Sequence, residues 1–257
     1  YIGTLPSERR PSVAIVGTRK PTAYGKEVTT RLAYDLASRG VVIVSGLAMG
    51  VDGLAHTAAL DASGTTLAVL GNGLPNIYPT SHAQLAKRIC DQGGAILSEY
   101  DRDMPALSHQ FLERNRIVSG LADAIIITEA AARSGTLNTA GHALEQGKEV
   151  FVVPGNITSP MSEGCNQLLK QGAHLVTCAE DILEIIAPDT LEPQSSLALG
   201  DNPLETAVLT HLQNGLRDGD DIQQAIGCSA TDLSVALTML ELHGHIRALG
   251  ANQWSLR

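Results

Sequence analysis

The sequence predicts an α/β fold, a doubly wound and mostly parallel sheet followed by a small winged-helix-like domain. Short apolar runs alternate with helical patterns from the start of the chain to about residue 187. Such alternation is typical of a parallel sheet covered by helices on both faces. Three prolines then interrupt the pattern in the segment 188–203. Three helical patterns and two strand-like runs follow, which is the order of a winged helix.

Six apolar runs are the candidate strands of the sheet. Their residues are apolar on both faces of the pleat, as expected for strands buried between two layers of helices. The runs cover residues 13–17, 41–45, 66–71, 95–99, 124–129 and 150–155.

Between the strands, apolar residues recur at helical spacing. Three such sets are Val28, Leu32 and Leu36; Leu54, Ala58 and Ala62; and Leu137, Ala140 and Leu144. A glycine closes each of these segments, and we expect left-handed backbone there because glycine commonly ends helices in that conformation. The three glycines are Gly40, Gly64 and Gly147.

The composition divides the chain into two domains and a linker. Residues 1–187 form the predicted sheet domain, and 188–203 form a linker rich in proline and small polar residues. The C-terminal domain covers 204–257. Its helical patterns at 204–214, 218–226 and 230–243 precede two strands that turn near Gly250–Asn252.

The bulk composition limits the classes of function. With 257 residues, 44% of them hydrophobic, the chain can bury a sizeable core. A formal net charge of −9 argues against diffuse DNA binding, which depends on summed positive charge, but permits a focused basic pocket. The four cysteines form no C-x-x-C pair, which favours a reduced, cytoplasmic protein without disulfides or metal. No apolar run approaches the roughly 18 residues of a membrane span, so we expect no contact with a membrane.

Ligands of an open parallel sheet bind outside the carboxyl ends of its strands. Four predicted strands lead there into loops that contain glycine, which lets a ligand approach the backbone closely. Because free N–H groups at a helix start attract anions, we expect a phosphate-bearing ligand; tight turns that merely need glycine are the alternative. The loop residues are Gly17, Thr18 and Arg19; Ser45, Gly46 and Gly50; Gly71, Asn72 and Gly73; and Ser134, Gly135 and Thr136.

Three arginines are candidates for paired hydrogen bonds to phosphate, namely Arg19, Arg114 and Arg116. The last two flank Asn115 on a predicted helix, where a solvated or ion-paired role is the alternative. Asp52 is better explained as a carboxylate at a helix start, and His56, one turn later, as a structural residue.

Several longer motifs follow one another along the sheet domain. They read "VAIVGTRKPTAYG", "SGLAMGVDGLAHTAAL", "GNGLPNIYP", "FLERNRIVSGL", "EAAARSGTLNTAGHALEQGKEVFVVPG" and "GCNQLLKQGA". By these motifs, which span residues 13–174, the chain resembles the DNA-processing protein A family, also called Smf. These are bacterial proteins that bind single-stranded DNA during natural transformation.

The resemblance implies an extended Rossmann-like domain that binds single-stranded DNA, with no known catalysis and no cofactor. It also implies a homodimer that protects incoming strands and helps load the RecA recombinase on them. Phe111 lies one helical turn before Asn115 and is our own candidate for stacking on a base; a place in the core is the alternative. Carried over by motif, the other DNA-binding residues are Gly17, Thr18, Arg19, Ser45, Gly46, Ala48, Asn115, Arg116, Ser134, Gly135 and Thr136.

The chain departs from the family pattern at four positions. In the first loop Thr18 replaces the usual serine, a change that keeps the hydroxyl. After "YP" the family often has a basic residue and then an asparagine, whereas this sequence has Thr80 and His82. One phosphate contact is therefore in doubt, with Lys87 and Arg88 as displaced substitutes. Asn138 replaces the usual aliphatic residue and adds a polar group.

The C-terminal domain is acidic. Over residues 201–257 there are three basic and seven acidic residues, a net charge of −4, and the segment 229–244 that would be the recognition helix has no Lys or Arg. A helix that reads duplex DNA needs positive charge for phosphate contact. We therefore expect this domain to bind a protein or to regulate.

Two enzyme hypotheses are weaker. Nucleotide N-glycosidases of the related lysine decarboxylase-like Rossmann group carry a Gly-Gly-x-Gly-Thr-x-x-Glu pattern. Here the glycine–threonine pair aligns, but Thr139 replaces the glutamate, and a hydroxyl cannot replace a carboxylate in acid–base catalysis. A nicotinamide oxidoreductase needs G-x-G-x-x-G, and "GTRKPTAYG" lacks the second glycine. We therefore expect a binding protein and no enzyme.

Overall fold

The structure is a computed structural model that describes residues 1–74, 76–188, 202–213, 215–250 and 252–256. Its strands are β1 Ile2–Gly3, β2 Ser12–Val16, β3 Val42–Ser45, β4 Thr66–Val69, β5 Ala95–Leu97, β6 Ala124–Ile127, β7 Glu149–Val152, β8 His174–Leu175, β9 Ile246–Gly250 and β10 Gln253–Leu256. Its α-helices are α1 Ala23–Ser38, α2 Val51–Asp61, α3 Ala83–Asp91, α4 Ser108–Gly120, α5 Thr136–Glu145, α6 Glu163–Lys170, α7 Glu180–Ile186, α8 Pro203–Gln213, α9 Gly219–Ile226 and α10 Ala230–Leu242.

Eight strands form one sheet in the order β1-β5-β4-β3-β2-β6-β7-β8. All neighbours pair in parallel except β1 with β5. The predicted α/β class is confirmed, and the six predicted strands are present with slightly shifted ends. From β2 the chain builds outward through β3, β4 and β5, and then returns to place β6 on the other side of β2. Ligands of such sheets bind at the point where the order reverses.

The strands are buried on both faces, as their composition predicts. Along β2, Val13 and Ile15 pack with residues of α1, α2 and α7. The alternate residues Ala14 and Val16 pack with residues of α4, α5 and α6 on the opposite face. The sheet is therefore the middle layer of three, and its strand ends are held in fixed positions.

Two of the three predicted glycine helix ends are confirmed. Gly40 and Gly147 have φ angles of 83° and 66°, in the left-handed region. Gly64 is a wrong prediction, since Ser63 takes the left-handed conformation with a φ of 55°. Gly64 instead allows close packing, because a Cβ there would lie 2.7 Å from the Cβ of Ala37. The apolar set at 137–144 is also only partly buried, since Leu144 is 63% exposed.

The chain divides into two compact units, Tyr1–Leu191 and Glu192–Arg257. In the second unit, α8, α9 and α10 precede an antiparallel hairpin of β9 and β10. Its small core includes Val208, Ile222, Leu237 and Leu240, and the predicted winged helix is confirmed. The predicted linker at 188–203 falls mainly on 189–201, outside the described residues.

Within the described parts of the chain, no single helix is long and apolar enough to cross a membrane. The helices α9 and α10 would reach that length and apolarity only as a pair, and the pair is bent by 117°.

Candidate functional site

A cavity of about 270 Å³ opens at the carboxyl edge of the sheet, where the strand order reverses. It is lined by the loop 17–19 after β2, by Ala48 after β3, by Phe111 and Asn115 of α4, and by 134–136 at the start of α5. The structure thus brings nine of the twelve predicted site residues to one place. The ends of β2 and β3, the helix α4 and the start of α5 hold all of them.

The other three predicted residues do not line this cavity. The Ser45 hydroxyl is buried and donates a hydrogen bond to the carbonyl of Ile15 at 2.7 Å. Gly46 lies beneath the side chain of Arg114. The Arg116 guanidinium is about half exposed and forms an ion pair with Glu99. The first two residues build the floor of the site, while Arg116 lies outside it.

Arg114 is a structural residue of the cavity floor. Its guanidinium is buried and donates hydrogen bonds to the carbonyls of Gly46, at 2.7 Å, and Val69. These carbonyls belong to the ends of β3 and β4, so one side chain joins two strand ends. Gly46 must lack a side chain, because a Cβ there would lie 2.4 Å from a guanidinium nitrogen of Arg114. The predicted arginine–phosphate contact is thus replaced by contacts within the protein at this position.

Asp52, in the first turn of α2, accepts hydrogen bonds from two backbone N–H groups of the second loop. The donors are Gly46 at 3.1 Å and Ala48 at 3.3 Å. Burial raises the pKa of the Asp52 carboxyl, and the charge of Arg114 opposes that rise. Burial likewise lowers the pKa of Arg114, and Asp52 opposes it. These N–H groups therefore donate to a carboxylate of the protein itself and are not free for a ligand. The position of Asp52 agrees with the expected carboxylate at a helix start.

Arg19 is the exposed cation of the cavity. Its guanidinium carbon lies 5.7 Å from the centre of the Phe111 ring, a distance suited to a cation–π contact. Within the described residues Arg19 makes no ion pair. The ionisable residues that line the cavity are Arg19, Arg114 and Asp52. The cavity therefore has a local excess of positive charge in a chain whose net charge is −9.

Phe111 belongs to a small aromatic surface beside the cavity. Its ring is partly exposed and lies 5.5 Å from the ring of Tyr78, tilted by 34°. The ring also packs on Gly71, where a Cβ would be 2.8 Å from Phe111 Cδ1. Tyr78 is 48% exposed and was missed by the sequence prediction, although it stands in the "GNGLPNIYP" motif. The third glycine loop thus supports an aromatic pair.

The start of α5 is largely capped by its own residues. Ser134 Oγ accepts a hydrogen bond from the Thr136 N–H at 3.2 Å and donates one to Thr136 Oγ1 at 3.0 Å. The Gly135 N–H makes no hydrogen bond within the described residues, and the first turn of α5 has no acidic residue. Of the predicted anion-facing N–H groups, the one at Gly135 is available to a ligand.

Three other polar residues named in the sequence analysis interact with residues of the protein itself. His56 is buried, its Nδ1 lies 2.7 Å from Thr66 Oγ1, and burial lowers its pKa to about 3. Lys87 and Arg88 form ion pairs with Asp91 and Asp61. His56 is therefore a neutral structural residue.

Two further polar residues lie at the cavity or beside it. Thr139 is buried and lines the cavity, so a hydroxyl occupies the position of the glycosidase glutamate. Asn138 accepts a hydrogen bond from the Asn115 side chain at 3.5 Å. The cavity is thus completed by uncharged polar groups on this side.

The chain matches two family models along most of its length. Residues 1–187 match the model of DNA recombination-mediator protein A. Residues 187–252 match the model of the DprA winged helix domain. The two ranges correspond to the sheet unit and to the winged helix.

Named relatives agree with the family models. The chain is 43% identical to Protein Smf of Escherichia coli over 255 residues, 95% of this chain and 68% of that protein. It is 48% identical to the putative DNA processing protein DprA of Mycobacterium tuberculosis over 175 residues, 68% of this chain and 45% of that protein. The chain thus spans between about half and two thirds of these relatives.

A solved structure shares both fold and sequence with this chain. DNA processing protein A from Helicobacter pylori, described for its single-stranded DNA binding mode, superposes with a TM-score of 0.64 at 39% identity. The match covers 70% of this chain and 81% of that one. With the family models and the relatives, this similarity establishes that the chain belongs to the DNA recombination-mediator protein A family, whose members include Smf and DNA processing protein A.

Proposed function

We propose that this protein binds single-stranded DNA in the cavity at the carboxyl edge of its sheet. The observation that carries the proposal is the exposed guanidinium of Arg19 over the ring of Phe111. A single strand offers phosphates and unstacked bases together, and proteins bind it by combining cations with aromatic rings. The related protein from Helicobacter pylori, described for its single-stranded DNA binding mode, supports the same ligand.

In the proposed complex each part of the cavity has a separate task. Arg19 and the Gly135 N–H hold one phosphate, because both are free donors at the same cavity. Phe111 and Tyr78 stack on a base. Arg114 and Asp52 hold the floor in place without touching the strand. Ser45 and Gly46 do not touch the strand; they fix the ends of β2 and β3 and the position of Arg114. Arg116 contributes little to the affinity for the strand.

We further propose that the protein has no catalytic role at this cavity. Acid–base catalysis on a nucleotide needs a carboxylate near the reacting atom, whereas Thr139 stands at the position of the glycosidase glutamate. The Asp52 carboxylate already accepts hydrogen bonds from two backbone N–H groups of the second loop. Incubation with AMP should release no ribose phosphate, and release at an enzymatic rate would support the glycosidase hypothesis instead.

The cellular role follows from family membership as a proposal. We propose that this protein, as a homodimer in the cytoplasm, protects incoming single strands during natural transformation and helps load RecA on them. The four cysteines are free thiols, which agrees with a reducing compartment. A RecA strand-exchange assay on strands covered by single-strand binding protein should show faster loading when this protein is added.

We assign the winged helix to protein contact or regulation. Its α10 has no Lys or Arg, and Asp232 lies in its first turn. Removal of the residues after 187 should therefore leave duplex affinity unchanged. Loss of tight duplex binding on that truncation would overturn the assignment.

The experiment that tests the proposed function is an anisotropy titration of single-stranded and duplex oligonucleotides with the whole chain. A duplex keeps its bases paired and stacked and so withholds them from Phe111 and Tyr78, which means that single strands should bind more tightly. The affinity should fall with salt, since phosphates are neutralised. Equal affinity for both forms, or no dependence on salt, would contradict the proposal.

A further inference from the structure

A second groove lies next to the cavity and shares Arg19 with it. We call it the α2–α3 groove; it is bounded by the start of α1, by α2 and by α3, and its volume is about 710 Å³. The residues that matter for its chemistry are Lys20, Lys26, Arg88, Met49, Leu54 and Leu85. Arg19 lines both spaces, so the groove adjoins the cavity at this side chain. A bound polymer that leaves the cavity past Arg19 would therefore enter the groove.

The groove is basic. Four of its lining residues are Lys or Arg and none is Asp or Glu, although the chain as a whole has a net charge of −9. Arg88 donates to Asp61 at 2.9 Å, outside the lining. Lys20 and Lys26 are exposed and make no ion pair within the described part of the chain. Two ammonium groups are therefore available to an external anion.

The floor of the groove is apolar. Met49 is 48% exposed, and Leu54 and Leu85 are partly buried beside it. Gly53 in α2 leaves room for the ring of His82, since a Cβ there would lie 2.7 Å from His82 Cε1. The groove thus offers apolar surface to bases and sugars and cations to phosphates, which suits a polynucleotide chain.

We propose that the α2–α3 groove is a second subsite for the same single strand, holding the nucleotides that continue beyond Arg19. Lys20 and Lys26 neutralise one phosphate each, and the bases and sugars lie on Met49 and Leu54. This inference rests on the proposed function, since the strand must first occupy the cavity. It adds to that function a path for the strand beyond Arg19 and a longer binding footprint.

The test compares two double variants in titrations of a long oligothymidylate over a series of salt concentrations. The groove variant is Lys20→Gln with Lys26→Gln. The control is Arg31→Gln with Lys87→Gln, which removes two exposed cations of α1 and α3 that do not line the groove. Both variants change the net charge equally, so a general electrostatic effect is shared.

The groove variant should bind more weakly than the control, and its salt dependence should be less steep by about 1.4 in log K against log [salt], about 0.7 for each lost phosphate contact. Equal slopes and affinities in the two variants would overturn the subsite. If at the same time Arg19→Ala still weakens binding, the cavity proposal stands alone. If the unaltered protein does not bind the oligonucleotide, the proposed function fails and the subsite fails with it.

Discussion

The guanidinium carbon of Arg19 lies 5.7 Å from the centre of the Phe111 ring. Arg19 lies in the loop after β2, and Phe111 lies in α4, about 90 positions later in the sequence. Their contact places the exposed cation of the cavity on its aromatic surface. Such a contact contributes roughly 0.5–1 kcal/mol at an exposed site, which favours this conformation of Arg19 about two- to five-fold before any ligand arrives.

Replacing Arg19 by alanine should weaken single-strand binding by about 1.5–3 kcal/mol, the usual value of a hydrogen bond to a charged group. The loss should be similar for all sequences, because phosphate contacts carry no base information. Arg19→Lys should restore part of the affinity, since lysine keeps the charge but loses the paired donors. Anisotropy titrations with mixed-sequence oligonucleotides measure both effects, and an unchanged Arg19→Ala affinity would exclude this phosphate contact.

Arg116→Ala should reduce single-strand affinity far less than Arg19→Ala. The Arg116 side chain is paired with Glu99 and does not line the cavity. The two variants lose the same charge, so each is the control for the other in the same titration. A larger loss for Arg116→Ala would move the strand to the outer face of α4.

Phe111→Leu should weaken binding by about 1–3 kcal/mol, the range of one base stacked on an aromatic ring. Leucine keeps an apolar group over Gly71 but cannot stack. Thermal unfolding followed by circular dichroism provides the control for folding. If affinity is retained while the melting temperature falls, Phe111 fills the core and stacks on no base.

Gly46→Ala should destabilise the fold by about 1–3 kcal/mol, the usual cost of an inserted methyl group in a packed core. The new Cβ would lie 2.4 Å from Arg114, whose position two carbonyls fix. The matched control is Gly135→Ala, where the nearest atom would be 3.7 Å away. Urea unfolding of both variants measures the difference, and equal stabilities would mean that Arg114 moves freely.

His56 should make the protein less stable in mild acid. Its pKa is lowered to about 3 in the folded state, whereas the unfolded chain has a value near 6.5. The folded state then binds fewer protons, so the stabilisation present above the unfolded pKa is lost as the pH falls from about 6.5 towards 3. At pH 5 the loss from this residue is about 2 kcal/mol.

Urea unfolding of the unaltered chain and of His56→Asn, at neutral pH and at pH 5, measures this loss. Asparagine does not titrate, so the variant should lose less stability between the two conditions. The same loss in both proteins would assign the acid sensitivity to other groups.

The strands could be predicted from the sequence because burial on both faces gives continuous apolar runs such as "AIIIT". The short strands β1 and β8 could not be predicted, since two residues carry no periodicity. Gly64 shows the limit of the glycine rule: its close approach to Ala37 is a tertiary contact, and the left-handed residue is its neighbour Ser63.

The location of the cavity could be predicted from the sequence, but the roles of its charged side chains could not. Residues two positions apart on a helix do not share a face, so Arg114 and Arg116 could not both point at one ligand. Which of them points inward depends on the carbonyls of Gly46 and Val69, which only the folded sheet brings near. In the same way, the sequence places Asp52 at a helix start, but only the folded loop shows that its carboxylate accepts hydrogen bonds from the N–H groups of Gly46 and Ala48.

Photo-crosslinking tests the location of the strand most directly. An oligothymidylate with 5-iodouracil at single positions is irradiated with the whole chain, and the linked peptides are identified by mass spectrometry. We predict links to Phe111 or Tyr78, the aromatic residues beside Arg19. Links confined to the winged helix, with none at these two residues, would contradict the assignment of the cavity as the single-strand site.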